Sequence, residues 1–180
     1  MLADVFLMLL RMAATFLAGV LLLRAYMQWL RLGWHNPIAQ FVVAVTDWAV
    51  RPLRSVLPRS SRYDWASLVA ALLMALLYFS LVDAVSGRNL LNWPWLVPLS
   101  VALLVRCGLY VAMTLIFAYA LLSIVNPDAP LAPTFDMLTR PLLAPFRRVI
   151  PPVGGFDLSP IAVIVVIQVL LLILDRAGLD

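Results

Sequence analysis

Arginine and aspartate stand ten residues apart twice in this sequence, as Arg54 with Asp64 and as Arg147 with Asp157. A guanidinium beside a carboxylate can fix a chain reversal, offer its fork to a phosphate or dock on a partner protein. It does not shuttle protons near neutral pH. Arg51, Arg140 and Arg148 lie close by in sequence. Two readings follow. In one, Arg51, Arg54, Asp64, Arg140, Arg147, Arg148 and Asp157 shape a platform for anionic lipid or a partner protein. In the other, each Asp caps a helix and each Arg touches a lipid headgroup, with purely architectural value. Caps and surface ion pairs each contribute about 1 kcal/mol, so energy alone does not choose between them.

Arg11, Arg24 and Arg106 lie inside apolar runs. An arginine at mid-bilayer costs at least about 2.5–3.5 kcal/mol on insertion scales, which makes each a candidate for a functional polar site. Arg24 is within two turns of the end of its run and can snorkel outward, and Arg11 can reach the opposite headgroups. Arg106 is the best placed of the three to line a polar interface. His35 is the sole histidine and could in principle ligate a haem iron. It has no His or Cys partner at metal-site spacing, and the equivalent position in the second half of the chain is Asp128. Cys107 is the only cysteine, which excludes an internal disulfide and a thiolate metal cluster. Ser55 and Ser159 have no base in a recognisable motif, and there is no glycine-rich phosphate loop. No catalytic residue, metal site or cofactor is expected.

The elements that must carry these residues are membrane helices. Hydrophobic residues make up 64% of the 180 and charged residues 12%, about half the share of a soluble domain. All basic residues are Arg and all acidic ones Asp. Four apolar runs, at about residues 4–30, 65–83, 96–124 and 158–175, approach the roughly 20 residues that cross a bilayer core. The first lacks a basic start and a cleavage site, so it reads as a retained span rather than a signal peptide. Pro- and Arg-rich loops at 31–64 and 125–157 join the spans pairwise.

Those loops resemble each other. Shifting the chain by 93 residues without a gap superimposes Tyr26 on Tyr119, Pro37 on Pro130, Thr46 on Thr139 and Pro52 on Pro145. Arg54 then falls on Arg147, Pro58 on Pro151 and Asp64 on Asp157. The chain reads as an internal duplication, with repeats at 1–88 and 94–180. Each repeat is span, loop, span, so both loops emerge on one side, as parallel repeats about an axis along the membrane normal. Arginine density puts the loops in the cytoplasm and both termini on the far side of a bacterial inner membrane.

Within the first loop, residues 38–51 read as an amphipathic helix. Gln40, Asp47, Arg51 and Arg54 form its polar stripe, and Phe41, Val45 and Trp48 lie opposite. In the second loop Asp136, Arg140 and Arg147 face away from Phe135, Leu138 and Leu142. Pro52 and Pro145 are expected to end these helices, since each lacks an N–H. Trp34, Trp48 and Trp65 suit the headgroup zone, so the segments are expected to lie in its plane. The fold expected is an all-α membrane protein of four spans with an interfacial helix in each cytoplasmic loop.

The strings Asn36-Pro-Ile-Ala-Gln-Phe-Val-Val43, Arg51-Pro-Leu-Arg-Ser-Val-Leu-Pro58 and Arg147-Arg-Val-Ile-Pro-Pro-Val-Gly-Gly-Phe-Asp-Leu-Ser-Pro160 resemble the YggT family over nearly the whole chain. The resemblance implies a small inner-membrane protein without catalytic residues. It also implies links to osmotic-shock tolerance, to cell division or nucleoid organisation, or, in plastids, to haem attachment. Three functions stand beside it: an assembly or membrane-organising factor with membrane-protein partners or copies of itself, a channel or solute transporter, and a haem-handling maturation factor. The first makes best use of the twinned loops. No nucleic-acid partner is expected.

Overall fold

The computed structural model describes residues 2–33, 36–57, 62–86, 93–150 and 157–177. These form six helices: α1 (Leu2–Trp29), α2 (Pro37–Val56), α3 (Trp65–Ser86), α4 (Trp93–Val125), α5 (Ala132–Arg147) and α6 (Ser159–Arg176). No strand occurs among the described residues. Four helices are long and apolar enough to cross a membrane, namely α1, α3 over Trp65–Val85, α4 over Trp95–Val125, and α6. Their outward faces carry Phe6, Phe16, Leu73, Leu77, Phe117, Ile161 and Leu172, all exposed. Such a surface is unsuited to water and natural in lipid, as expected of a multi-pass membrane protein.

The chain divides into two compact units, and the boundary falls inside α4, after Gly108. In the first unit α1, α3 and the start of α4 pack through small side chains. Ala18, Ala75, Phe79, Leu96, Leu103 and Cys107 make one apolar cluster. Leu21, Val50, Ala66, Ala70 and Ala71 make another, which draws in α2 through Val50. In lipid the hydrophobic effect does not drive helices together, so alanines that let backbones approach closely take over that role. The second unit uses larger residues: Ile116 and Leu143 pack with Val163, Ile167 and Leu171, a stripe four residues apart along α6.

The ends of α1 and α2 show how the first loop is set. Leu32 N–H donates to Met27 O at 3.1 Å and Arg31 N–H to Gln28 O at 2.9 Å. This is a Schellman closure with Arg31 in its left-handed position, at φ 55°. Glycine is the usual occupant there, because a Cβ costs energy in that conformation. The chain then reaches Asn36, whose Oδ1 accepts from Ala39 N at 2.7 Å while its Nδ2 donates to Gly33 O at 2.8 Å, with Pro37 following as the first helical residue.

The loop helices run further than expected. Helix α2 passes through Pro52 to Val56, and α5 passes through Pro141 and Pro145 to Arg147. Packing overrides the missing N–H. Leu53 and Leu57 sit against the cluster around Val50 and Ala70, and Leu142 and Phe146 against that around Ile116 and Leu143. The buried face of α2 also differs from the simple two-sided picture. It is Ala39, Val42, Thr46 and Val50 that turn inward, whereas Phe41 and Trp48 stay exposed. Small residues pack against α1 and α3 because they admit close approach.

The helix ends make a simple test. Arg31→Gly is expected to raise stability in detergent by about 0.5–1 kcal/mol and Asn36→Ala to lower it by about 1 kcal/mol. Thermal melts of both variants, read against the parent, check the signs.

Candidate functional site

Arg24 faces inward from α1, and its side chain is only 2% exposed. Its position, five residues before the end of α1, had suggested that it would snorkel outward. Instead Nη1 donates to Thr46 Oγ1 at 2.8 Å and Nη2 to Asp47 Oδ1 at 3.2 Å, both on α2. Thr46 is fixed to accept because its own hydroxyl donates to Val42 O. Arg24 Nε lies 3.7 Å from Asp64 Oδ2, an ionic contact too long for a hydrogen bond. That buried Nε makes no hydrogen bond among the described residues.

Asp64 is itself 4% exposed and stands immediately before α3. Its Oδ2 accepts from Arg54 Nη2 at 3.2 Å and from Ser67 Oγ at 2.6 Å. Its Oδ1 accepts from Ser67 N at 3.3 Å, the N-cap bond to the third helical residue. Two arginines and two aspartates therefore form one electroneutral knot that ties α1, α2 and the start of α3. Moving a charge out of water costs several kcal/mol per ion, and here two carboxylates and a threonine offset it. The knot has no nucleophile and no paired acids. What it does chemically is hold three helix ends together and fix Arg54, half-exposed, at the rim.

The second unit solves the same problem with fewer charges. Ninety-three residues after Arg24 stands Phe117, which is exposed. The tie is made by Arg147 of α5, whose Nη2 donates to Tyr119 Oη on α4 at 2.9 Å and whose Nε donates to Asp157 Oδ2 at 2.8 Å. The guanidinium also lies 5.6 Å over the Tyr119 ring. Asp157 Oδ1 accepts from Ser159 N at 2.9 Å. Both members of this pair are about one-third exposed, at 33% and 35%.

Burial works against the charge on Arg147, but the hydrogen bonds to Asp157 and Tyr119 outweigh it and hold its pKa above the ordinary value. Burial likewise pushes Asp157 up, and Ser159 with Arg147 brings it below the usual 3.8. The contribution of Ser159 comes through its N–H, since its buried Oγ meets no hydrogen-bond partner among the described residues.

The remaining sequence candidates scatter. Arg140 pairs with Asp136 one turn before it at 2.8 Å on an exposed face. Arg51 and Arg148 are exposed, Arg11 is exposed near the start of α1, and Arg106 is half-buried in α4. His35 and Trp34 lie outside the described residues. Thr46, Asp47, Ser67 and Tyr119 had not been singled out as site residues. The signal for Thr46 and Tyr119 was their recurrence as Thr139 and Tyr26 in the 93-residue match.

The family model described as CCB3/YggT matches residues 3–85 and 98–177. An uncharacterized protein YggT of Escherichia coli (strain K12) is 34% identical over 151 residues, covering 84% of this chain and 79% of the relative. An uncharacterized protein of Haemophilus influenzae is 33% identical over 168 residues, 91% of this chain and 85% of the relative. A Vibrio alginolyticus protein is 28% identical over 151 residues, 83% and 82% of the two chains. No solved structure matches.

The two pairs should differ in energetic weight. Asp64→Ala leaves the buried Arg24 short of a counter-charge and is expected to cost about 3–5 kcal/mol. Asp157→Ala, at a solvent-screened pair, should cost about 1 kcal/mol or less. The double change Arg24→Leu/Asp64→Leu should recover much of the first loss, read by denaturation in detergent. The pH dependence has a definite sign. Because the folded value of Asp157 is lowered, its stabilisation is complete above 3.8 and fades as pH falls through the folded value. Asp157→Asn should flatten that acid limb.

Proposed function

This chain belongs to the CCB3/YggT family, and we propose that it is a non-enzymatic organiser of other membrane proteins in a bacterial inner membrane. In this reading it is built from two tandem copies of one span–loop–span unit, with both loops in the cytoplasm. Two observations support the duplication: the family model aligns with residues 3–85 and again with 98–177, and the ungapped 93-residue correspondence runs through both loops. The cytoplasmic side follows from the arginines, which crowd into 31–64 and 125–157.

The observation that carries the function is that each loop holds a helix pinned by charge to neighbouring elements. Helix α2 is fixed through Arg24 and Asp64, and α5 through Arg147, Tyr119 and Asp157. A helix fixed this way is a rigid shelf at the membrane surface. On α2 the shelf presents Phe41 and Trp48 outward, beyond the residues that its own unit buries. Rigid presentation lowers the ordering cost that a partner must meet on docking, which suits an assembly or scaffolding role during envelope stress or division. A homo-oligomer is a natural extension, with a second copy as one such partner.

Cross-linking in native membranes, then purification and mass spectrometry, tests the reading by comparing the parent with Arg54→Ala/Arg147→Ala. A reproducible partner set that falls several-fold in the double variant, at unchanged expression and helicity, is the expected result. Recovery of no protein other than this chain itself would overturn the scaffold reading and direct attention to solute flux.

A further inference from the structure

The two shelves carry unlike charge. Residues 31–64 hold five arginines against two aspartates, a net +3, whereas residues 125–157 hold three of each and are neutral. The structure sharpens the contrast. In the first unit Asp47 pairs with Arg24, a residue of α1 rather than of the loop, and Asp64 is shared between Arg24 and the loop's own Arg54. In the second unit the pairs are local: Arg140 holds Asp136 and Arg147 holds Asp157.

Helix α2 has three faces rather than two. At 100° per residue, Ala39, Val42, Thr46 and Val50 fall together and are buried. Phe41 and Trp48, seven residues apart, share a second face with Val56 and are 54%, 63% and 82% exposed. Asp47, Arg51 and Arg54 share the third. Trp48 Nε1 donates to Val45 O at 2.8 Å, so its one polar group is satisfied within the helix and the ring is free to sit in an apolar layer. At the end of the loop and the start of α3, Tyr63 and Trp65 stand exposed with their rings 6.0 Å apart. Ninety-three residues on, Trp48 and Trp65 are replaced by Pro141 and Leu158.

An exposed apolar–aromatic face beside arginines, on a helix flanked by two spans, fits the boundary between acyl chains and phosphates. Arginine's planar fork suits a phosphodiester, and its charge favours lipids with net negative headgroups. We infer that α2 is a binding face for anionic phospholipid, with Phe41 and Trp48 in the acyl boundary and Arg51 at the headgroup, and that α5 has no such preference. The inference rests on the proposed placement of the loop helices at the membrane surface. It adds the lipid class and confines it to the first repeat.

The test uses the purified full chain in vesicles of phosphatidylcholine with a minor share of phosphatidylglycerol, brominating the acyl chains of one lipid at a time. Trp48 quenching is taken as the parent signal minus that of Trp48→Phe. Both brominated lipids should quench, and brominated phosphatidylglycerol should do so several-fold beyond its share of the bilayer. Arg51→Gln should reduce that excess about fivefold, the effect of one surface arginine, as should high salt; Arg148→Gln should leave it unchanged. Quenching by phosphatidylglycerol in simple proportion to its share overturns the inference while leaving the surface placement intact. Absence of quenching by either lipid removes the placement as well. An equal effect of Arg148→Gln and Arg51→Gln overturns the restriction to α2. Proportional quenching, together with loss of a cross-linked acidic protein from Arg51→Gln in native membranes, overturns the lipid in favour of a protein occupant.

Discussion

A buried guanidinium allows its surroundings little freedom. Arg24 is such a group, and the first unit has to bring carboxylates to it. Asp47 does so only if α2 lies against α1 in one rotation, and Asp64 only if the chain returns to start α3 at one place. The small-residue packing of Ala18, Ala66, Ala70 and Ala75 permits the close approach, but it is apolar and tolerant of sliding. The ionic knot is directional, and it sets the register of three helices that lipid-like packing would leave loose. Its net worth in stability is small against its cost, so specificity is the better account of what it contributes.

The second unit reaches a comparable connection by another route. With Phe117 where Arg24 would stand, no full charge is sunk into the packed interior at that point. Arg147 then bridges Tyr119 and Asp157 from α5, keeping its charge partly in solvent. A phenol replaces a second ion at little desolvation cost. Two stretches that share the Arg–Asp spacing thus arrive at different electrostatics, one with a partly buried network of four charges and one with an open pair.

Much of this was legible in the sequence. The spans follow from apolar run length, and the four long apolar helices agree with the expected limits to within a few residues. The pairing of Arg54 with Asp64 and of Arg147 with Asp157 was visible in their equal spacing. Helix extent past Pro52 and Pro145 was not, because proline's local penalty is printed in the sequence whereas the packing of Leu53, Leu57 and Phe146 that offsets it is not. Nor was the direction of Arg24. A residue near a span's end can turn toward headgroups or toward a neighbour, and only the position of Asp47 and Asp64 decides. The third, inward face of α2 was not visible either: hydrophobic pattern finds the greasiest face, whereas the face packed against α1 and α3 carries smaller residues.

The network around Arg24 also imposes an order on biosynthesis. Arg24 leaves the ribosome about 40 residues ahead of Asp64, an interval of about 2–8 s at 5–20 residues/s. Throughout that time α1 holds a charge whose set of counter-ions is incomplete, Asp47 being made before Asp64. Until α2 and the head of α3 have been made, the Arg24 side chain can reach the headgroups from its place near the end of α1, and it turns inward only once its carboxylates are present. Closure of the first unit is then a later event than entry of its first helix, and its timing follows chain growth.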